Sequence, residues 1–192
     1  MDDLSNRLNK LKIGCSLGDL FINHLMYADD LVLISPSTRG LNCLIEECQR
    51  YGLEFDILFN SSKSAVMYFK PDFMKNINFP IFKINNESIN VVSRYTYLGH
   101  IIWNDSSDDL DILRQRRKIF AQGNSIMRKF YMCSDDVKLT LFKSYCSSFY
   151  TAHLWINYTN TIMNKLYTAY HNVLKCLLVY LSVNTLGPFV QH

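Results

Sequence analysis

Two adjacent carboxylates, Asp29 and Asp30, stand between two short apolar runs, directly after Tyr27 and Ala28. The surrounding residues 20–34, LFINHLMYADDLVLI, are rich in β-forming side chains, and their polar centre reads as the turn of a hairpin. Carboxylates at such a tip are presented outward together, and hard divalent cations such as Mg²⁺ or Mn²⁺ take oxygen ligands of this kind. Two such ions roughly 3.5–4 Å apart activate a 3′-hydroxyl and stabilise a leaving pyrophosphate in nucleotidyl transfer. Ala28 leaves room there for a substrate backbone. An Asp-Asp pair is equally what an ordinary solvated turn carries, so the pair alone does not choose between the two.

The elements that must position these residues follow from periodicity. Ser35 and Pro36 can cap and open a helix with Leu41, Leu44, Ile45 and Cys48 on its apolar face, ended by Gly52, which covers one face of a sheet. Residues 65–69 read as a strand, 81–84 with 88–92 as a hairpin turning at Asn85-Asn86, and 95–102 as a further strand. Beyond residue 105 the pattern becomes helical. Ser107 caps a helix with Asp108, Asp109 and Asp111 in its first turn and Arg128 and Lys129 near its end, charges that suit the helix dipole. A second helix opens at Ser134 and buries Val137, Leu141, Tyr145 and Phe149; a last one buries Ile162, Leu166, Tyr170, Val173, Leu177 and Leu181. The expected class is α+β: an antiparallel sheet with a covering helix in residues 1–104, then an α-helical bundle in 105–192.

Together with its flanks, HLMYADDLVLI (24–34) resembles motif C of the reverse transcriptases, and among them the non-LTR retrotransposon (LINE-type) enzymes. The resemblance implies a palm-type sheet in which Asp29 and Asp30 are metal-binding catalytic carboxylates and Tyr27 lies beside nucleic acid. FNSSKS (59–64) looks like motif D, which implies Lys63 near the phosphates of the incoming nucleotide as a proton donor to pyrophosphate. YTYLGH (95–100) is similar to motif E, the primer grip, with Tyr97, Leu98 and Gly99 at the primer end. Gly99 suits that place because a missing side chain lets another backbone come close. The basic helices stand where the family has its thumb, which implies Arg114, Arg116, Arg117 and Lys118 as nucleic-acid contacts. The likeness runs from about residue 13 to about residue 178.

Two departures qualify what the resemblance implies. Motif A ends an apolar strand with the first catalytic aspartate, and none of Asp2, Asp3 and Asp19 follows such a strand; motif B has no counterpart. The stretch therefore looks like the last part of a palm plus a thumb, inactive alone, whose complete enzyme uses two Mg²⁺ (or Mn²⁺) ions, an RNA template, a DNA primer and dNTP. A group II intron maturase-like enzyme also carries Tyr-Ala-Asp-Asp, but the motif D spacing favours the LINE type. Outside enzymes stand a non-catalytic nucleic-acid-binding module, with Tyr131, Tyr145, Tyr150, Trp155 and Tyr158 among the cations, and a relic reading frame without retained function.

Composition narrows the classes. With 48% hydrophobic and 19% charged residues, 7 Gly and 4 Pro in 192, the chain is no disordered, collagen-like or low-complexity segment. The net charge of +3 is mild, but residues 112–175 hold ten Lys and Arg against two acids, and no acid follows Asp136. A polyanion could lie there. The six cysteines form no CxxC pair and read as reduced core thiols, and the start has no apolar leader, so an intracellular site, nuclear or cytoplasmic, is expected rather than secretion. No apolar run approaches the roughly 20 residues that span a bilayer. If the motif C hairpin lacks a neighbouring strand, its exposed sheet face favours self-association.

Overall fold

Leucines four residues apart in a charged segment make one side of a helix apolar, and α1 (Asp2–Lys10) forms on that basis, with Leu4 and Leu8 fully buried. The sequence reading assigns no element there. The computed structural model describes residues 2–69 and 80–185, with side chains described as far as residue 177. The fold is α+β and divides into two compact units, Met1–Val92 and Ser93–His192. Sequence patterning places the division at 104/105 instead.

In the first unit, β1 (Cys15–Leu17) and β2 (Leu20–Ile22) form one hairpin, and β3 (His24–Tyr27) and β4 (Asp30–Leu33) form the next. The run 20–34 is thus split between two hairpins rather than forming one, with Asn23 between β2 and β3. Its side chain is buried and donates to Leu8 O (2.8 Å), while its carbonyl accepts from Ile34 N (2.7 Å). Helix α2 (Thr38–Phe55) starts at the N-cap Ser37, whose hydroxyl accepts from Gly40 N at 3.1 Å, so Ser35 and Pro36 lie outside it. It also runs past Gly52. That glycine serves the chain's return, since a Cβ there would stand 2.5 Å from Ile57 O, and Asp56 takes the left-handed C-cap instead.

Two apolar clusters flank α2. Leu44, Cys48 and Tyr51 meet Leu4 and Leu8, with Met26, Leu31 and Phe59 against them, and Ile45 joins Val66, Phe82 and Ile89 on the other side. The second cluster takes Val66 from β5 (Ala65–Val66), Phe82 from just before β6 (Lys83–Ile84), and Ile89 from between β7 (Glu87–Ser88) and β8 (Asn90–Val91). Asn85 and Asn86 turn β6 into β7 with φ of 52° and 65°, while β5 pairs in parallel with β8 and is shorter than the strand expected at 65–69. Among the described residues every ladder has two strands.

The second unit opens with a hairpin, β9 (Arg94–Tyr97) and β10 (His100–Trp103), where a single strand is expected. Leu98 and Gly99 form its turn with φ of 46° and 80°. Helices α3 (Asp109–Lys129), α4 (Asp135–Leu141) and α5 (Asn160–Thr185) follow. Ile112, Ile119 and Ile126 recur every seven residues along α3 and pack with Leu166, Val173 and Leu177 of α5. The side chain of Leu181, expected on this face, lies outside the described residues. After α4 the chain winds into a π-turn, Phe142–Cys146, and the fully buried residues are Lys138, Phe142 and Cys146; of the expected stripe Leu141 and Phe149 pack partly buried against the core, while Val137 and Tyr145 are exposed. All six cysteines are free, but only Cys48 and Cys146 are buried, where loss of hydration pushes their thiols up to about 12 and about 11. No described helix is long and apolar enough to cross a membrane.

Candidate functional site

The hairpin that carries the carboxylates is anchored at its base. His24 Nδ1 is 2.6 Å from Asn23 Oδ1 and its Nε2 is 2.7 Å from Ser5 Oγ, so the imidazole is bonded on both sides. Burial lowers the pKa of His24, which favours the neutral ring. At the other end Tyr27 pairs with Asp30, leaving Ala28 and Asp29 as a two-residue turn. Ala28 takes φ 54°, the region glycine occupies freely; Gly18, at the same place in the preceding hairpin, takes φ 59°. Tyr27, Asp29 and Asp30 are all exposed.

Two exposed carboxylates on one tight turn fit a divalent ion held from one side, with water and substrate phosphates as the remaining ligands, since Mg²⁺ is commonly bound through one or two carboxylates. Among the described residues no group of three or more His, Cys, Asp or Glu side chains is placed to hold a metal. Asp19 is likewise exposed, at the β1–β2 turn. Lys63 lies in a loop built by Asn60, whose Oδ1 accepts from Lys63 N (3.0 Å) and Ser62 Oγ (2.7 Å) and whose carbonyl accepts from Ser64 Oγ (2.8 Å). Ser61 Oγ donates to Glu87, and the Lys63 side chain is exposed. Motif D-like residues thus form an Asx-type turn.

In the second unit the β9–β10 tip meets α3. Gly99, Arg114, Gln115, Lys118, Tyr150 and Thr151 line one cleft of about 290 Å³. Three of the eight residues expected in nucleic-acid contact on sequence grounds are therefore gathered in it, and Tyr97 and Leu98 adjoin Gly99 in the hairpin. Gly99 takes a positive φ of 80°, and a Cβ added there would meet no atom of the described chain within 4 Å. Arg116 and Arg117 are elsewhere. Arg116 lies over the Phe120 ring, 5.4 Å from its centroid, and Arg117 is exposed.

What holds this cleft in place is a network that sequence patterning assigns only to the helix dipole. Asp111, with no exposed surface, accepts from Trp155 Nε1 (2.9 Å), Thr151 Oγ1 (2.8 Å) and Ile101 N (3.2 Å), with Arg114 Nη2 2.6 Å away. Burial alone raises its pKa, but those donors, with the Arg114 charge, outweigh burial and hold the carboxyl below its ordinary 3.8. Asp108 accepts from Ile156 N (2.8 Å) and Asn157 N (2.9 Å), and Asp109 binds both polar groups of Thr159. His100 sits between them, Nε2 3.5 Å from Asp108 and Nδ1 3.2 Å from Asp111. Trp155 is consequently a structural donor, whereas Tyr131, Tyr145, Tyr150 and Tyr158 are exposed. Three aspartates within four residues were the available signal; their partners, some 40 or more residues on, were not. The same network explains why the hairpin at 94–103 belongs with the helices.

No protein-family model, curated protein or solved structure matches the chain.

Proposed function

We propose that these residues are the end of a palm and the thumb of a reverse transcriptase of the non-LTR retrotransposon (LINE) type, an RNA-directed DNA polymerase. The observation that carries this reading is the Tyr27-Ala28-Asp29-Asp30 turn: a tight hairpin tip that exposes two carboxylates while Asn23, His24 and Ser5 brace its base. In the complete enzyme those carboxylates would hold Mg²⁺, and an ion there supplies charge for the departing pyrophosphate. Lys63 is the candidate proton donor to it. Tyr97, Leu98 and Gly99 would grip the primer end, and the thumb helices would follow the RNA template and DNA primer, with dNTP as substrate.

A polypeptide of these 192 residues is expected to bind Mn²⁺ or Mg²⁺ in titration calorimetry and to lose that binding in Asp29→Asn with Asp30→Asn. It is expected to extend no primer, because a two-metal site with only two carboxylates leaves its ions short of fixed ligands. Extension that Asp29→Asn abolishes would overturn the inactivity. Metal binding indifferent to the double substitution would remove the carboxylates from the role proposed.

A second reading, a nucleic-acid-binding module without catalysis, is favoured by the cleft that joins Gly99 to Arg114, Lys118 and the exposed Tyr150. A cationic groove beside an aromatic face is the usual platform for a polynucleotide strand. On this reading affinity for an RNA–DNA hybrid is salt-dependent, and it falls on charge reversal at Lys118 while Asp29→Asn leaves it unchanged.

A further inference from the structure

Helix α3 carries its cations on two flanks. Successive residues turn by about 100°, so Arg114 and Arg116 face about 200° apart with the buried isoleucine stripe between them. Arg114 and Lys118 belong to the cleft at the β9–β10 tip. Arg116 belongs to a separate groove between α3 and α5, about 310 Å³ in volume, whose lining includes Phe120, Asn164, Lys165 and Asn172.

We infer that the α3–α5 groove is a second anion site, taking a phosphate group through Arg116 and Lys165. Among the described residues neither cation has an ion-pair partner, and Arg116 Nε is buried without a hydrogen-bond acceptor. The guanidinium instead lies over the Phe120 ring, its carbon 5.4 Å from the centroid, a contact that restricts the fork while leaving its donors unused. Helix α5 offers no acid to offset these cations, since residues 160–185 contain none, and on α3 Asp111 is paired with Arg114 while Asp109 accepts hydrogen bonds from Thr159. The side-chain amides of Asn164 and Asn172 have no partner among the described residues and supply further donors. Two uncompensated cations match one phosphate dianion or two adjacent phosphodiesters, and planar arginine favours such oxyanions. The inference does not depend on polymerase ancestry, because it uses none of the residues at the hairpin tips.

The test is a ¹⁵N-resolved NMR titration of the full chain with inorganic phosphate, read at the side-chain amides of Asn164 and Asn172. A saturable shift is expected in the wild type. It should be retained in Lys118→Gln and in Arg116→Lys, and be roughly tenfold weaker or lost in Arg116→Gln with Lys165→Gln, as befits loss of charge-assisted hydrogen bonds. A short single-stranded oligothymidylate distinguishes the source. Shifts of the same amides, with a salt slope shallower by about 1.4 in Arg116→Gln with Lys165→Gln, identify polynucleotide phosphates, at about 0.7 per contact; shifts with inorganic phosphate alone identify a free phosphate. No saturable shift with phosphate, or an equal shift in Arg116→Gln with Lys165→Gln whose remaining spectrum is unchanged, overturns the proposal.

Discussion

Ala28 occupies a backbone region that costs a non-glycine residue roughly 1 kcal/mol, at the point where the two carboxylates are displayed. At the equivalent place in the preceding hairpin the chain has Gly18. Ala28→Gly should therefore raise stability by up to about 1 kcal/mol in denaturant melts, since relief of the positive φ exceeds the entropy returned to the unfolded chain. The same change should weaken Mn²⁺ binding, because a looser turn holds Asp29 and Asp30 less firmly. A gain in stability with unaltered metal affinity would show a turn that serves folding alone.

Helix α3 comes close to α5 at Gly123, where an added Cβ would collide with the buried Val173. Gly123→Ala is expected to cost about 1–2 kcal/mol despite alanine's better helix propensity, because overpacking outweighs that gain. Val173→Ala should recover part of the loss in the double variant, and a double-mutant cycle measures the coupling. Failure of the second change to compensate would place the strain elsewhere. The hairpin at 94–103 is likewise an element-scale matter. Its turn residues are Leu98 and Gly99, and only the latter is a turn former by type, so alternation alone reads the segment as one strand.

For the whole molecule, two titrations of different sign of cause act in the two units. His24 has a folded pKa below its ordinary 6.5, so the stability it contributes is complete above that value and is lost as pH falls below it. Asp111 is held below 3.8, so its contribution persists until stronger acid and is lost only below that value. Acid unfolding followed by tryptophan fluorescence and circular dichroism should show the first unit weakening near neutrality and the second, with Trp155, only in strong acid. His24→Gln should remove the early step. The exposed apolar side chains Leu17, Leu20, Phe21 and Leu25 on two-stranded hairpins lead us to expect association at raised concentration, which light scattering checks; a monomer at all concentrations would contradict it. Local signals, legible without any structure, determined the hairpin turn that presents Asp29 and Asp30, the Asn85-Asn86 turn, the helix start at Ser134, the helical face of α5 and the basic character of 112–175, because each depends on neighbours within a few residues. Tertiary structure decided the rest: that Asp108, Asp109 and Asp111 clamp the 151–159 loop, that Lys138 and Phe142 rather than Val137 and Tyr145 face inward, and that Arg114 and Arg116 part to opposite flanks. Those outcomes depend on partners distant in the chain, and a one-residue shift of a helical stripe leaves the apolar pattern almost unchanged while altering which side chains are buried.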